Sequence, residues 1–298
     1  MRTATSQAAR PAKVIVGIDG SEQGERAALW AAAQADASRE SLCILHAADL
    51  DRIARFASFE TVEDLREAGR ERLLATEAAV RKQFPSLDIR RRLSRKRPVS
   101  ALHDEAGPDD SIVVGSRGLG GFSALMLGSV GLGVTAGAAV PVVVVRGESE
   151  WLRTRRVTAA VRGATDRDWM DDAARQAQLR GADLKLVGVR DVLARATGTA
   201  RPPDEPQPVL PEERSLTELA VALELAFPQT KVTAEVVECR SAAKVLVDAS
   251  RHCDLMVMGG PRHLNSRSAS PGRVTHALLH HSHCPVQVWP RRLVEGDV

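Results

Sequence analysis

The chain has 298 residues, 44% hydrophobic and 27% charged, with 41 lysines and arginines against 38 aspartates and glutamates. That length fits two domains of about 145 residues better than one. The net charge of +3 is small and spread along the chain, which argues against a dedicated nucleic-acid face. Cys43, Cys239, Cys253 and Cys284 show no C-x-x-C spacing, so no disulfide is expected and the thiols fit a cytoplasmic protein.

Residues 1–12, MRTATSQAARPA, contain no apolar core and read as a flexible tail rather than a signal peptide or an anchor. Residues 13–19 read as a first strand, followed by a helix from about Glu22 to Ser38 with Ala27, Ala28, Trp30 and Ala31 at apolar positions. Ser41 to Ala47 reads as a second strand. An amphipathic helix is expected from about Val62 to Gln83, a strand near Leu87 to Leu93, and a short helix from Pro98. SIVVGS, Ser111 to Ser116, is a short β-branched run ending at a glycine, which reads as a buried parallel strand. Val142 to Val145 is the fifth strand. Alternating strands and helices predict the α/β class with a doubly wound parallel sheet of the flavodoxin or Rossmann-like kind.

The basic run RRRLSRKR, Arg90 to Arg97, reads as a solvated sheet edge rather than a nucleic-acid patch. Phe122 to Val145 is 24 residues without a charge, long enough to cross a bilayer. Pro141 and the glycines within it favour a buried helix followed by a buried strand, and no membrane segment is expected.

The same order recurs after a short linker, GESEWLRTR at 147–155. Val157 follows Val14 by 143 residues, Leu184 follows Leu42 by 142, and Gly259, Gly272 and Pro285 follow Gly115, Gly128 and Pro141 by 144. Near-constant offsets predict a duplicated domain, with bounds at 13–148 and 153–298, five strands in each. Ala194 to Glu213 carries five prolines and reads as a mobile surface loop.

The glycines of the first repeat stand where a ligand would need them. Gly115, Gly118, Gly128 and Ser129 follow the pattern G-x2-G-x9-G-S after a strand, and Gly128-Ser129 opens a small-residue helical segment that Pro141 ends. A helix N-terminus offers unpaired N–H groups and the positive end of the macrodipole, and glycines let a phosphate approach the backbone. The pattern matches neither the P-loop nor the G-x-G-x-x-G turn.

GSRGLGGFSALMLGSV after a strand resembles the ATP-binding loop of nucleotide-binding universal stress proteins. VIVGIDGS at Val14 to Ser21 is similar to the first strand of that family, and Leu45-His46-Ala47 to the end of its second. The resemblance implies a tandem universal stress protein that binds ATP in its first domain. It places Asp19 and Ala47 at the adenosine, with Ala47 acting through its backbone, Val114 and Gly115 at the ribose, and Gly17 and Ile18 among the ATP-binding residues. Arg117, Gly118, Gly128, Ser129 and Val130 would surround the triphosphate, with Mg²⁺ held through phosphate oxygens. It also implies that Val142–Val145 pairs antiparallel with Val286–Trp289 as an internal pseudo-dimer, and that homodimers and an unidentified protein partner are to be looked for. In the second repeat Asp19, Gly118 and Ser129 are replaced by Arg162, Arg262 and Arg273, so the second domain is expected not to bind ATP, and the three arginines are expected to meet at one cleft.

With one nearby arginine, no P-loop lysine and no evident base, ATP hydrolysis is expected to be slow or absent. A nucleotide-free scaffold and a slow ATPase are the alternatives to a nucleotide-responsive binding protein. His46 reads as a satisfied strand-end histidine. His276, His280 and His283, with His281 and Cys284 beside them, fall on a predicted helix, where His276 and His280 at i, i+4 raise metal binding as a further alternative.

Overall fold

The computed structural model describes residues 12–118, 127–146, 154–162, 164–191, 211–260 and 272–290. The first half runs β1 (Lys13–Ile18), α1 (Glu22–Ser38), β2 (Ser41–Ala47), α2 (Leu50–Ile53), α3 (Phe59–Gln83), β3 (Ile89–Ser94), α4 (Pro98–Glu105), β4 (Ser111–Gly115), α5 (Ser129–Gly137) and β5 (Val142–Val145). The second runs β6 (Arg156–Val161), a 3-10 turn (Ala164–Trp169), α6 (Met170–Leu179), β7 (Asp183–Asp191), α7 (Pro211–Ala226), β8 (Val232–Cys239), α8 (Ala242–Ala249), β9 (Leu255–Gly259), α9 (Arg273–His281) and β10 (Val286–Trp289).

The ten strands of the described residues form one sheet in the order β3-β2-β1-β4-β5-β10-β9-β6-β7-β8. Within each half every pairing is parallel, and β5 meets β10 antiparallel with Val144 opposite Val286 and Val142 opposite Val288. The expected internal pairing is thus present, and it covers a valine strand that would otherwise be an open edge. Helices cover both faces, which is why β5, the core of β4 and β1 beyond Lys13 are apolar without alternation. α1 lies close on the sheet because its inner face is Ala27, Ala28, Ala31 and Ala35 around one large residue, Trp30. It starts where the Ser21 hydroxyl accepts the Gly24 N–H at 3.1 Å, and it stops at Arg39 in the left-handed region.

The duplication is visible in the hydrogen bonds themselves. The Ile112 N–H donates to the Pro141 carbonyl at 2.9 Å, and the Met256 N–H to Pro285 at 3.0 Å; Ser116 donates to Val145 and Gly260 to Trp289 in the same way. Asp110 accepts the N–H of Lys13, the first residue of β1, and Asp254 accepts the Thr154 N–H just ahead of β6. Each of these pairs is separated by about the repeat offset.

The halves are tied by more than the strand pair. The Arg146 guanidinium donates to the carbonyls of Leu279 and Ser282 at the end of α9. Arg180 donates to Gln34 Oε1 at 2.7 Å and stands 5.3 Å from the centre of the Trp30 ring. Burial pulls both guanidinium groups down to about 10, which leaves them charged at neutral pH.

Several boundaries differ from the sequence reading. α3 begins at Phe59 rather than Val62, because Ser58 caps it by accepting the Thr61 N–H. α2 was not foreseen. β1 ends at Ile18, β3 starts at Ile89, and α5 ends at Gly137, ahead of Pro141. The proline-rich segment is shorter than expected, since α7 starts at Pro211, a residue suited to a helix start; residues 192–210 and the chain start at 1–11 lie outside the described residues. From Leu127 onward the uncharged run divides into the nine-residue α5 and the four-residue β5, and no described helix is long and apolar enough to cross a membrane. The basic run lies on the edge strand β3 and its exit, where Arg91 pairs with Glu77, Arg95 with Asp51, Lys96 with Asp104 and Arg97 with Asp49.

Candidate functional site

In the first half the strand order reverses between β1 and β4: the chain winds outward through β2 and β3, then returns to the other side of β1. In open α/β sheets a crevice forms at such a point beyond the carboxyl ends of the strands. Here it is a cavity of about 360 Å³, and all eleven residues singled out from the sequence line it. β1 brings Gly17 and Ile18 with Asp19 just beyond its end; β2 brings Ala47, β4 brings Val114 and Gly115, the following loop Arg117 and Gly118, and the start of α5 Gly128, Ser129 and Val130.

Spacing alone did not reveal the rest of the wall. Leu45, Pro98 and Leu102 stand on the β2 and α4 side, and Leu127, Gly131 and Gly24 complete the lining. Leu45 was legible as the neighbour of Ala47 on one face of β2, two residues away. Nothing in a glycine count would have marked Gly24. The cavity therefore has an apolar flank toward α4 and a backbone-rich flank toward α5, with Asp19 and Arg117 as the charged side chains among its described residues.

The glycines do different jobs. A Cβ at Gly115 would come within 2.8 Å of the Gln23 carbonyl oxygen, so the close packing of β4 on α1 requires glycine there. A Cβ at Gly118 would overlap Asp19 Oδ2. Asp19 is held by its other oxygen, which accepts the Ser21 N–H at 3.0 Å and the Ser21 hydroxyl at 2.6 Å. Gly128 is the exception. Its φ of −74° suits any residue, and a Cβ would meet nothing nearer than 3.7 Å. As the N-cap of α5 it brings no side chain to the helix start, so the positive end of that helix opens on the cavity without a capping oxygen.

His46 Nδ1 lies 2.9 Å from the Ile18 carbonyl and therefore carries the proton it donates; Arg72 then donates to Nε2 at 3.3 Å. Burial holds the imidazole below its usual range, with the Arg72 charge acting in the same sense. It is a satisfied strand-end histidine, as its sequence context suggested, and it does not line the cavity.

The second half is built otherwise. Arg162 is exposed after β6, and its N–H donates to the buried Asp166 at 2.7 Å. Arg273 is the exposed first residue of α9, behind the N-cap Gly272. Arg262 lies outside the described residues, so the expected meeting of three arginines is not on view. The His276 and His280 rings stack with centroids 4.1 Å apart, and among the described residues no group of three or more potential metal ligands forms.

The sequence profile of the universal stress protein family matches twice, at residues 12–146 and 154–290. A universal stress protein of Mycolicibacterium smegmatis is 37% identical over 134 residues, 45% of this chain and 45% of that relative, so the aligned part spans a little under half of the relative's length. One from Mycobacterium bovis is 24% identical over 287 residues, 92% of this chain and 96% of its own. The crystal structure of a universal stress protein from Archaeoglobus fulgidus superposes with a TM-score of 0.67 at 15% identity, over 93% of this chain and 96% of the other, and so shares its fold.

Proposed function

Because the chain belongs to the universal stress protein family, we propose that its first domain binds ATP with Mg²⁺ and that the protein acts in the cytoplasm as a nucleotide-responsive stress-signalling protein. The observation that carries this reading is the open start of α5. Gly128 is a glycine that neither backbone conformation nor packing demands, placed where a phosphate would approach the N–H groups of Ser129 and Val130.

The remaining lining fits the other parts of the ligand. Leu45, Leu102 and Val114 offer apolar contact to a base, and Asp19 offers a carboxylate to a sugar hydroxyl or a base amine. Arg117 supplies positive charge at the phosphate end. Asp19 is the one carboxylate among the described lining residues, so no cage of side-chain oxygens is at hand and Mg²⁺ is held through phosphate oxygens and water. With Arg117 as the cation of the described lining, the site is suited to holding ATP rather than to rapid phosphoryl transfer. Nucleotide occupancy would then alter how the surface beside the cavity meets a protein partner or a second copy of the chain.

A nucleotide-free scaffold is the second reading, and one observation favours it: Gly115 and Gly118 are both accounted for by contacts within the protein. Titration calorimetry of ATP·Mg²⁺ into protein freed of nucleotide separates the two. About one ATP per chain, lost in Gly118→Arg, supports the nucleotide reading. Heat indistinguishable from dilution leaves the scaffold.

A further inference from the structure

The second half carries a feature that the first lacks. Cys253 stands in the turn before β9 and Cys284 in the turn before β10, with their sulfurs 3.6 Å apart and both residues buried. The positions 144 residues earlier are Asp109 and Val140. Cys43 and Cys239 belong to other strands, β2 and β8.

The backbone on both sides of the pair is fixed. The His283 N–H donates to Ser250 Oγ at 2.9 Å, and that hydroxyl donates to the Val247 carbonyl. The Ser282 hydroxyl donates to the Cys284 carbonyl, and the Met256 N–H to Pro285. The two turns are thus held against each other by bonds that do not involve sulfur. Arg251, His252 and His283 stand exposed on the same turns, and Asp254 is buried directly after Cys253. The thiols are also unlike each other. A hydrogen bond from Cys284 holds Cys253 below the usual thiol range, and the same bond, together with burial, pushes Cys284 up. With 3.6 Å between them, a sulfur oxidised on one turn lies within reach of the sulfur on the other.

We propose that Cys253 and Cys284 form a dithiol oxidation site that a peroxide converts to an intramolecular disulfide. The Cys253 thiolate attacks one peroxide oxygen, the O–O bond breaks, and a sulfenic acid forms as the departing hydroxide takes up a proton to become water. Cys284 sulfur then attacks Cys253 sulfur; the S–S bond forms, the S–O bond breaks, and hydroxide leaves with the Cys284 proton as a second water. Two thiols and one peroxide give one disulfide and two waters, with two electrons passing to the peroxide. Because both sulfurs are buried, local opening of the turns limits the rate. The site stands independently of the nucleotide reading.

The test uses the full chain, fully reduced, exposed to hydrogen peroxide in native buffer, then alkylated under denaturing conditions and mapped by mass spectrometry. Two of the four thiols should become unavailable, a Cys253–Cys284 linked peptide should appear, and dithiothreitol should restore both. Cys253→Ser should give no linked peptide. Four alkylated cysteines after peroxide overturn the proposal, as does a link through Cys43 or Cys239, or a Cys253 oxidised to sulfinic acid with Cys284 still free. The wild-type map decides the matter even where the serine variant folds poorly.

Discussion

The two halves keep the same frame and differ at its working ends. Both bring an aspartate to the start of their first strand, close the fourth strand onto the proline before the fifth, and start the helix between those strands behind a glycine. The first half then places Ser129 at the helix start and Asp19 after its first strand, whereas the second places Arg273 and Arg162 there. A cation at the first turn of α9 meets the positive end of the helix, an arrangement that costs roughly 0.3–1 kcal/mol. The frame is what the two halves share, and the side chains at the strand ends are where they differ. In the second half a thiol pair stands where the first has an aspartate and a valine.

Copying the second half into the first gives the largest expected effect. Gly118→Arg reproduces the residue found at position 262 and collides with Asp19. ATP affinity should fall at least about a hundredfold, equivalent to roughly 2.7 kcal/mol, in calorimetry. A smaller loss would show that Gly118 does not face the nucleotide. Ser129→Ala, which removes one hydroxyl and keeps the helix, should weaken binding about tenfold, the scale of one hydrogen bond to a charged group.

Other substitutions test how firmly the halves are joined and how differently they pack. Arg180→Ala removes the bond to Gln34 and the contact over Trp30, which should cost about 2–3 kcal/mol in urea unfolding; unchanged stability would show that the contact does not hold the halves together. At the strand-helix contact the halves have exchanged bulk. In the first, His46 on β2 fits because α3 has Gly69 beside it; in the second, β7 has Gly188 and α7 supplies Leu216. A Cβ at Gly69 would lie 2.8 Å from Leu93 Cδ1 and 3.0 Å from His46 Cδ2, while one at Gly188 would lie 3.3 Å from a Leu216 methyl. Gly69→Val should therefore cost about 1–3 kcal/mol and Gly188→Ala less than about 1 kcal/mol. Equal costs would mean that the pinned histidine yields as readily as the leucine.

The duplicated frame was legible because offsets between glycines, prolines and apolar strands survive at any distance in the chain. The cavity was legible through Gly128 and Ser129, which sit where chain direction and helix start coincide. Other features depend on contacts that spacing does not encode. Gly24 matters because Asp19 Oδ1 would lie 3.1 Å from its Cβ, and Leu102 because α4 turns it toward Gly17. The Cys253–Cys284 contact joins residues 31 apart on two turns, and only the register of β9 with β10 brings them together. Boundaries shifted where a local cap such as Ser58 outweighed the apolar periodicity that marked α3.

The smallest expected effect concerns His46, a titrating group of the first half whose counterpart in the second is Gly188. His46 donates from Nδ1 to the Ile18 carbonyl and accepts from Arg72 at Nε2; a second proton would have to sit on Nε2, against the guanidinium. Burial and that charge hold its folded pKa below the unfolded value, which lies near about 6.5. The unfolded chain therefore binds the proton more readily, so the stabilisation is complete above that pH and is lost as pH falls toward the lowered folded value. Its slope stays below about 1.4 kcal/mol per pH unit, the limit for one proton. His280 and His283 are also held low by burial and act in the same sense, so the informative quantity is the difference between wild type and His46→Gln. Urea midpoints measured from pH 7.5 to 5.5 should converge as pH falls. Parallel curves would place the proton elsewhere and leave the Ile18–His46–Arg72 chain without a part in the pH response of the first domain.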